Sequence, residues 1–291
     1  MTDTNAHSDT PGTPAPAPES HGLLGDTGLH VDDTGGSGRP VVLIHGWPLS
    51  GEAWKLQVPA FRDAGYRVVT YDRRGFGRSD KPLTGYGYDS LSDDLAAVLD
   101  ELDLRDVTLV GFSMGGGEVA RYLPRHGADR IRSVVFASAV PPYLLHLPGN
   151  PDGPLSAAEA AKMTAALTAN QEKFYDDFTT TFFSVDGELA VTEQQRQEAL
   201  ELTKQAYKPA ALEAMAAFAG TDFRDDLAAV TVPALVIHGD SDATVPFEGS
   251  GKRTHEAIAG SELYVVAGAP HGVNVSHAAE WNRAVLEFLA K

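Results

Sequence analysis

The chain has 291 residues, of which 43% are hydrophobic and 22% are charged, and its formal net charge at pH 7 is -17. This acidic excess argues against binding to nucleic acid, because a phosphate backbone requires clustered Lys and Arg to displace its counterions. The absence of cysteine excludes disulfides, thiolate nucleophiles and cysteine-ligated metal sites. No apolar run long enough to cross a membrane and no secretory signal are visible, so we expect a cytoplasmic protein without membrane contacts.

Residues 1–22 are rich in Pro, Thr and Ser and contain almost nothing apolar to bury. Such a segment cannot offset the conformational entropy that ordering costs, so the sequence predicts a disordered tail over these 22 residues.

Beyond the tail, short β-branched runs bounded by Gly, Pro or Asp alternate with segments of helical spacing. Strands are predicted at residues 40–45, 67–72, 107–112, 132–138, 233–238 and 262–266, and helices at 91–102, 114–126 and 281–289. This alternation predicts an α/β fold with a mostly parallel sheet and helices on both of its faces.

The alternation stops between about residues 141 and 222. This stretch contains Ala-rich helical sequence at 156–169 and 192–219 and no convincing strand. Because it is long for a loop, we interpret it as a helical cap inserted at one edge of the sheet.

The strongest local signal is Gly-Phe-Ser-Met-Gly at positions 111–115, between a predicted strand and a predicted helix. This is the context of a G-x-S-x-G nucleophile elbow, in which small residues flank a strained turn. Ser113 would then lie at a helix N-terminus, where the helix dipole favours a developing oxyanion.

A serine nucleophile needs a base, and in this arrangement the acid and then the histidine follow it along the chain. His271 follows the predicted strand at 262–266 and is favoured by position. His238 lies inside a predicted strand, which suggests a core or turn residue, and His277 begins the last helix.

Two carboxylates, Asp240 and Asp242, follow the strand at 233–238. Asp240 lies at the strand end, where an Asp commonly bonds the turn backbone. Asp242 lies further along the loop, closer to a histidine on the neighbouring loop. Both remain candidates for the acid, with Asp242 favoured.

Two backbone N–H groups are candidates for an oxyanion hole. One belongs to Met114, directly after the nucleophile, and the other to Trp47, in the loop after the strand at 40–45. Pro48 has no N–H to offer.

Five segments together carry a family resemblance: WP at 47–48, YDRRGFGRS at 71–79, GFSMGGGE at 111–118, HGDSDATVPF at 238–247 and APHG at 269–272. The sequence resembles the α/β-hydrolase family, and within it the cofactor-free (non-haem) haloperoxidases, also called perhydrolases, and the related aryl esterases. The resemblance implies one α/β-hydrolase domain over residues 23–291, with the cap at about 141–222 inserted, and neither a cofactor nor a metal.

Matched position by position, the resemblance makes Ser113 the nucleophile, His271 the base and Asp242 the orienting acid. It also makes the N–H groups of Trp47 and Met114 the oxyanion donors.

In this family a proline after the oxyanion residue is associated with perhydrolysis, because it shifts the loop so that the preceding carbonyl can hold hydrogen peroxide. Pro48 has that place, with loop stiffening as the alternative role, and Phe112 is expected to help position the substrate. We expect a small apolar pocket with Phe112 and Met114 at its floor. Its walls would be Trp47 and aromatic residues of the cap, for which the candidates are Phe182, Phe183 and Phe218.

The sequence therefore predicts a serine hydrolase that forms peracids from short carboxylic acids and hydrogen peroxide through an acyl-enzyme, with esterase activity. The nearest alternative is an esterase that acts on small or aryl esters, and a remote one is a ligand-binding receptor on a hydrolase scaffold. The expected partners are small molecules only, and the resemblance implies a homo-oligomer, a trimer or larger.

Overall fold

The computed structural model describes residues 19–24 and 26–291, and its centre is an eight-stranded sheet. The strands of this sheet and of a small hairpin are β1 (Glu19–Leu24), β2 (Leu29–Asp33), β3 (Pro40–Ile44), β4 (Arg67–Tyr71), β5 (Val107–Phe112), β6 (Ile131–Ala137), β7 (Ser184–Val185), β8 (Glu188–Leu189), β9 (Ala234–Gly239) and β10 (Glu262–Val266).

The strand order in the sheet is β1-β2-β4-β3-β5-β6-β9-β10. From β4 to β10 the neighbours run parallel, whereas β1 pairs with β2, and β2 with β4, in antiparallel fashion. Strands β5 and β9 are buried along their whole length, as expected for parallel strands covered on both faces.

Helices cover both faces of the sheet. They are α1 (Gln57–Asp63), α2 (Tyr88–Glu101), α3 (Met114–His126), α4 (Ala157–Ala169), α5 (Gln171–Phe182), α6 (Glu193–Thr203), α7 (Lys208–Gly220), α8 (Arg224–Ala228), α9 (Gly251–Ala257), α10 (Val273–Ser276) and α11 (Ala278–Leu289). Leu95 of α2 and Val119 of α3 belong to one core cluster, and Phe61 of α1 and Trp281 of α11 belong to a second. The predicted α/β fold, with a mostly parallel sheet and helices on both faces, is confirmed.

The predicted tail needs a correction at its boundary. Residues 1–18 lie outside the described part of the chain, but Glu19 to Gly22 belong to β1, with Glu19 opposite Asp33 of β2. The pairing of an edge strand uses backbone N–H and C=O groups, so a segment with few apolar side chains can still join a sheet.

The segment between β6 and β9 holds helices α4 to α8. The helical run predicted at 192–219 is two helices, α6 and α7, and the hairpin β7–β8 contradicts the expectation that the segment contains no strand. Helix α5 was not predicted, because its Thr and aromatic residues have low helix propensity. Its start is fixed by the side chain of Asn170, which accepts the N–H of Lys173.

A buried ion pair joins the sheet to α3 behind the carboxyl ends of β3 and β4. The guanidinium of Arg73 pairs with Glu118, which also accepts the Tyr71 hydroxyl at 2.5 Å. Arg73 Nη2 donates to the backbone oxygen of His45 at 2.6 Å. Burial raises the pKa of the Glu118 carboxyl, and Arg73 and Tyr71 counteract part of that effect.

We predict that Glu118→Gln lowers the free energy of unfolding by about 3 to 5 kcal/mol, because it leaves the Arg73 guanidinium buried without a counter-charge. Urea denaturation followed by circular dichroism measures the change. The control is Glu248→Gln, which breaks the exposed Glu248–Lys252 pair and should leave stability nearly unchanged. Equal losses in the two variants would contradict a structural role for the buried pair.

Candidate active site

The turn between β5 and α3 holds Ser113 in a conformation that is rare for a residue with a side chain, with φ 54° and ψ -117°. The flanking glycines are required by close packing. A Cβ on Gly111 would lie 2.5 Å from the backbone oxygen of Gly115, and one on Gly115 would lie 2.5 Å from that of Ile44 in β3. The G-x-S-x-G pattern thus allows close packing of the strand, the helix and β3, and it places the buried Ser113 side chain at the carboxyl end of the sheet, where it lines a cavity.

The structure brings the three predicted polar residues into one hydrogen-bonded chain. His271, in the loop after β10, has Nε2 3.0 Å from Ser113 Oγ. Its Nδ1 lies 2.6 Å from Asp242 Oδ2, in the loop after β9. All three side chains are buried, so water competes little with these bonds.

The Asp242 side chain is buried, and hydrogen-bond donors of the protein take the place of water around its charge. Its Oδ1 accepts the N–H groups of Thr244 at 2.9 Å and Val245 at 2.7 Å, while Oδ2 faces His271 and His238. Burial alone would raise the pKa of this carboxyl, but the two histidines outweigh burial and hold the pKa well below its usual range. Asp242 is therefore ionised at neutral pH and stabilises a positive charge on His271.

The alternative residues lie elsewhere. Asp240 is exposed, and its Oδ1 accepts the N–H of Gly268, the turn-stabilising role that its position suggested. His277 contacts Ser276 at the start of α11. His238 is a buried strand residue as interpreted, but its Nε2 also lies 3.1 Å from Asp242 Oδ2, a contact that the sequence pattern did not indicate.

Among the described residues, neither of the two expected oxyanion donors, Trp47 and Met114, donates its N–H to another backbone group. Met114 is the first residue of α3, so its N–H has no acceptor one turn earlier in the helix. The carbonyl of Gly46 accepts from His45 Nδ1 at 2.8 Å and from the N–H of Leu49 at 3.0 Å. In a trans peptide the N–H points opposite to the C=O, so these two bonds aim the Trp47 N–H away from them.

His45 is neutral in this arrangement. Burial, and then the charge of Arg73, lower its pKa to about 3. Its Nε2 accepts the N–H of Arg73 at 2.9 Å, which leaves the ring proton on Nδ1 for the carbonyl of Gly46. The loop carrying Trp47 lies against Ser113, because a Cβ on Gly46 would be 3.1 Å from Ser113 Cβ.

A cavity of about 490 Å³ opens over Ser113 between the sheet edge and the α4–α7 segment. Its walls are largely apolar, as expected, but it is larger than the small pocket that we predicted. The Trp47 ring makes edge-to-face contacts with Phe174, Phe178 and Phe218, at centroid distances of 5.2 to 6.1 Å. Its Nε1 donates to the backbone oxygen of Ala211 in α7 at 3.0 Å.

Several predicted lining residues lie elsewhere. Met114 is fully buried, and Phe112 packs against His271 at a centroid distance of 5.1 Å and lines a second cavity with Phe182 and Phe183. Phe112 does not line the cavity over Ser113. The prediction missed Phe174 and Phe178, which their four-residue spacing in α5 could have indicated.

Pro48 is buried directly after Trp47 and lines neither of these two cavities. Its predicted role toward peroxide stays a prediction. Within residues 26–291, no group of three or more His, Cys, Asp or Glu side chains is arranged to hold a metal ion. No helix in the described part of the chain is long and apolar enough to cross a membrane.

We predict that Asp242→Asn lowers the rate at which a fluorophosphonate labels Ser113 by on the order of 10⁴-fold. The Asn oxygen can keep the two backbone N–H bonds, which leaves its NH₂ group facing His271 Nδ1. That contact moves the ring proton from Nδ1 to Nε2. A protonated Nε2 can no longer accept the proton of Ser113. Mass spectrometry of the labelled peptide gives the rate, and an unchanged thermal midpoint shows that the fold is intact. Labelling at the wild-type rate would contradict the assigned geometry.

Comparison with known proteins identifies the family of the chain. The family model described as alpha/beta hydrolase fold matches residues 39–278. The chain is 42% identical over 259 residues to the non-heme chloroperoxidase CPO-A1 of Kitasatospora aureofaciens, covering 88% of this chain and 94% of that protein. It is 36% identical over 269 residues to the bifunctional esterase/perhydrolase DCH of Acinetobacter calcoaceticus, covering 90% and 95%.

Among solved structures, a bromoperoxidase from Bacillus anthracis superposes with a TM-score of 0.90 at 48% sequence identity, covering 94% of this chain and 100% of that one. The family predicted from the motifs is thereby confirmed. The chain belongs to the α/β-hydrolase family, in the group that contains the non-haem haloperoxidases.

Proposed function

We propose that the protein is a serine-dependent perhydrolase of the non-haem haloperoxidase type, with esterase activity. The observation that carries the proposal is the buried Ser113–His271–Asp242 chain at the base of an apolar cavity. The names of its relatives, which include chloroperoxidases and a bifunctional esterase/perhydrolase, support the same chemistry.

In the first half of the reaction, Ser113 Oγ attacks the carbonyl carbon of a carboxylic acid or ester and passes its proton to His271 Nε2. The negative oxygen of the tetrahedral intermediate accepts the N–H groups of Trp47 and Met114. Each such donor is typically worth about 3 kcal/mol of the barrier. His271 then returns the proton to the leaving group, which departs as water or alcohol.

In the second half, hydrogen peroxide or water attacks the acyl-enzyme. His271 takes the proton of the incoming molecule, and the second tetrahedral intermediate uses the same two N–H donors. Collapse releases Ser113 together with a peracid or a carboxylic acid. Both halves are acyl transfers, so the protein only moves protons and stabilises charge, and any halide oxidation follows from the released peracid.

Ester hydrolysis is the second candidate for the main activity, and the size of the cavity favours it. About 490 Å³ is more than a short carboxylic acid fills, and falls in the usual range for drug-sized ligands. The cavity lining carries Glu159 and Asp177 against one Lys162. This charge balance favours a neutral ester or protonated acid over a carboxylate anion.

The experiment that tests the proposal is peroxide-driven halogenation of a dye-like acceptor, measured with and without acetate or propionate. We predict that wild type halogenates only when a carboxylic acid is present, and that Ser113→Ala does not halogenate at all. Halogenation that ran equally well without the acid would contradict the peracid mechanism. Failure of the wild type to turn over any p-nitrophenyl ester or peracid would favour the receptor alternative.

Pro48→Leu provides a prediction about the balance of the two activities. If Pro48 places the carbonyl of Trp47 to hold peroxide, the variant should lose perhydrolysis relative to ester hydrolysis. The ratio of the two rates, measured on one enzyme preparation, removes effects of stability and concentration. An unchanged ratio would leave Pro48 with loop stiffening as its role.

Small-molecule substrates, an acid or ester together with peroxide, are consistent with the names of the relatives. Location in the cytoplasm and assembly into a homo-oligomer remain proposals. The division into a tail, a catalytic domain over residues 23–291 and an inserted cap also remains a proposal, with the tail shortened by the residues of β1.

A further inference from the structure

His238, near the end of β9, contacts the same carboxylate oxygen as His271. Its side chain is fully buried, and its Nε2 lies 3.1 Å from Asp242 Oδ2 and 2.8 Å from the backbone oxygen of Val245. His271 Nδ1 lies 2.6 Å from that same Oδ2. One carboxylate oxygen therefore bridges two imidazole rings.

The hydrogen-bond pattern assigns the protonation of His238. Both neighbours of Nε2 are acceptors, so Nε2 carries a proton and donates it. Within the described residues Nδ1 has no partner, and it lies against Gly251 at the start of α9, where an added Cβ would overlap it. A proton on Nδ1 would be a buried donor without an acceptor, so the pattern assigns a neutral ring.

The two histidines share the charge of one oxygen. Asp242 Oδ1 is already occupied by the N–H groups of Thr244 and Val245, so rotation of the carboxylate cannot replace a donor lost at Oδ2. While His238 donates, part of the negative charge on Oδ2 is neutralised. Without that bond, more of the charge would act on His271, and its imidazolium would be more stable.

We propose that His238 is a positioning residue that holds the Asp242 carboxylate and, by donating to Oδ2, limits how strongly the charge of that oxygen acts on His271. The inference rests on the proposed role of Ser113, His271 and Asp242 in acyl transfer. It does not depend on whether peroxide or water resolves the acyl-enzyme.

The other described side chains around the two rings are uncharged, engaged with other partners or exposed. His271 is flanked by the uncharged Ser113, Phe112 and Phe182, and His238 by the ring of Phe247. The ionisable side chains of α9 are engaged elsewhere or exposed: Lys252 pairs with Glu248, Arg253 binds Asn150 and backbone oxygens of residues 143, 152 and 249, His255 contacts Ser261, and Glu256 is exposed.

A purely structural role would rest on the shorter bond, from His238 Nε2 to the backbone oxygen of Val245. In that case His238 would only fix the loop against β9, and its loss would lower stability without moving the pH dependence of the reaction. The two roles therefore differ in a measurable property.

The test compares His238→Met with His238→Gln, which have side chains of similar length and differ in the N–H donor. The measurement is the rate of fluorophosphonate labelling of Ser113 as a function of pH. We expect His238→Met to move the acidic limb of the profile up by about 0.5 to 1 pH unit. His238→Gln, which keeps a donor, should restore the wild-type limb.

An acidic limb that stays in place in a folded His238→Met variant would overturn the proposal, as would equal shifts in the Met and Gln variants. If His238→Met does not fold, Gly251→Ala decides the question, because its Cβ displaces the His238 ring while keeping the histidine. That variant should move the limb in the same direction, and an unmoved limb would likewise overturn the proposal. Labelling reports on Ser113 without a substrate, so failure of the peracid assay leaves this result independent.

Discussion

The geometry of the site depends on the buried charge of Asp242. A carboxylate removed from water is costly unless donors surround it, and here four donors do: two backbone N–H groups of its own loop and two histidine rings. These bonds fix the loop after β9 relative to the loop after β10. As a result, His271 is held in one tautomer, with Nε2 free to accept the proton of Ser113.

The opposite side of Ser113 is organised by the same logic. The carbonyl of Gly46 is fixed by two donors, which turns the N–H of Trp47 away from them and leaves it available for the oxyanion role that we propose. The neutral ring of His45 supplies one of those donors. Arg73, which pairs with Glu118, fixes His45 by donating to its Nε2 and to its backbone oxygen. On each side of Ser113, a fully hydrogen-bonded acceptor fixes the direction of a neighbouring group. The Asp242 carboxylate orients His271, and the Gly46 carbonyl orients the N–H of Trp47.

The arrangement of Ser113, His271 and Asp242 could be predicted from sequence because its determinants are local. The elbow around Ser113 is a steric pattern, and parallel strands bring the loops with Asp242 and His271 to one edge of the sheet. The cavity walls could not be predicted as well. They depend on how the α4–α7 segment packs over the sheet edge, which places Phe174 and Phe178 beside Trp47. The contact between His238 and Asp242 could not be predicted, because the position of His238 in a strand does not reveal that it shares an acceptor with His271.

The most direct test of the account is detection of the acyl-enzyme. Wild type mixed with a p-nitrophenyl acetate-type ester and quenched in acid within one turnover should carry an acetyl group, which peptide mass spectrometry would locate on Ser113. Added hydrogen peroxide should remove that group faster than water does and release peracetic acid. Turnover without acetylation of Ser113, or with acetylation at another residue, would contradict the proposed mechanism.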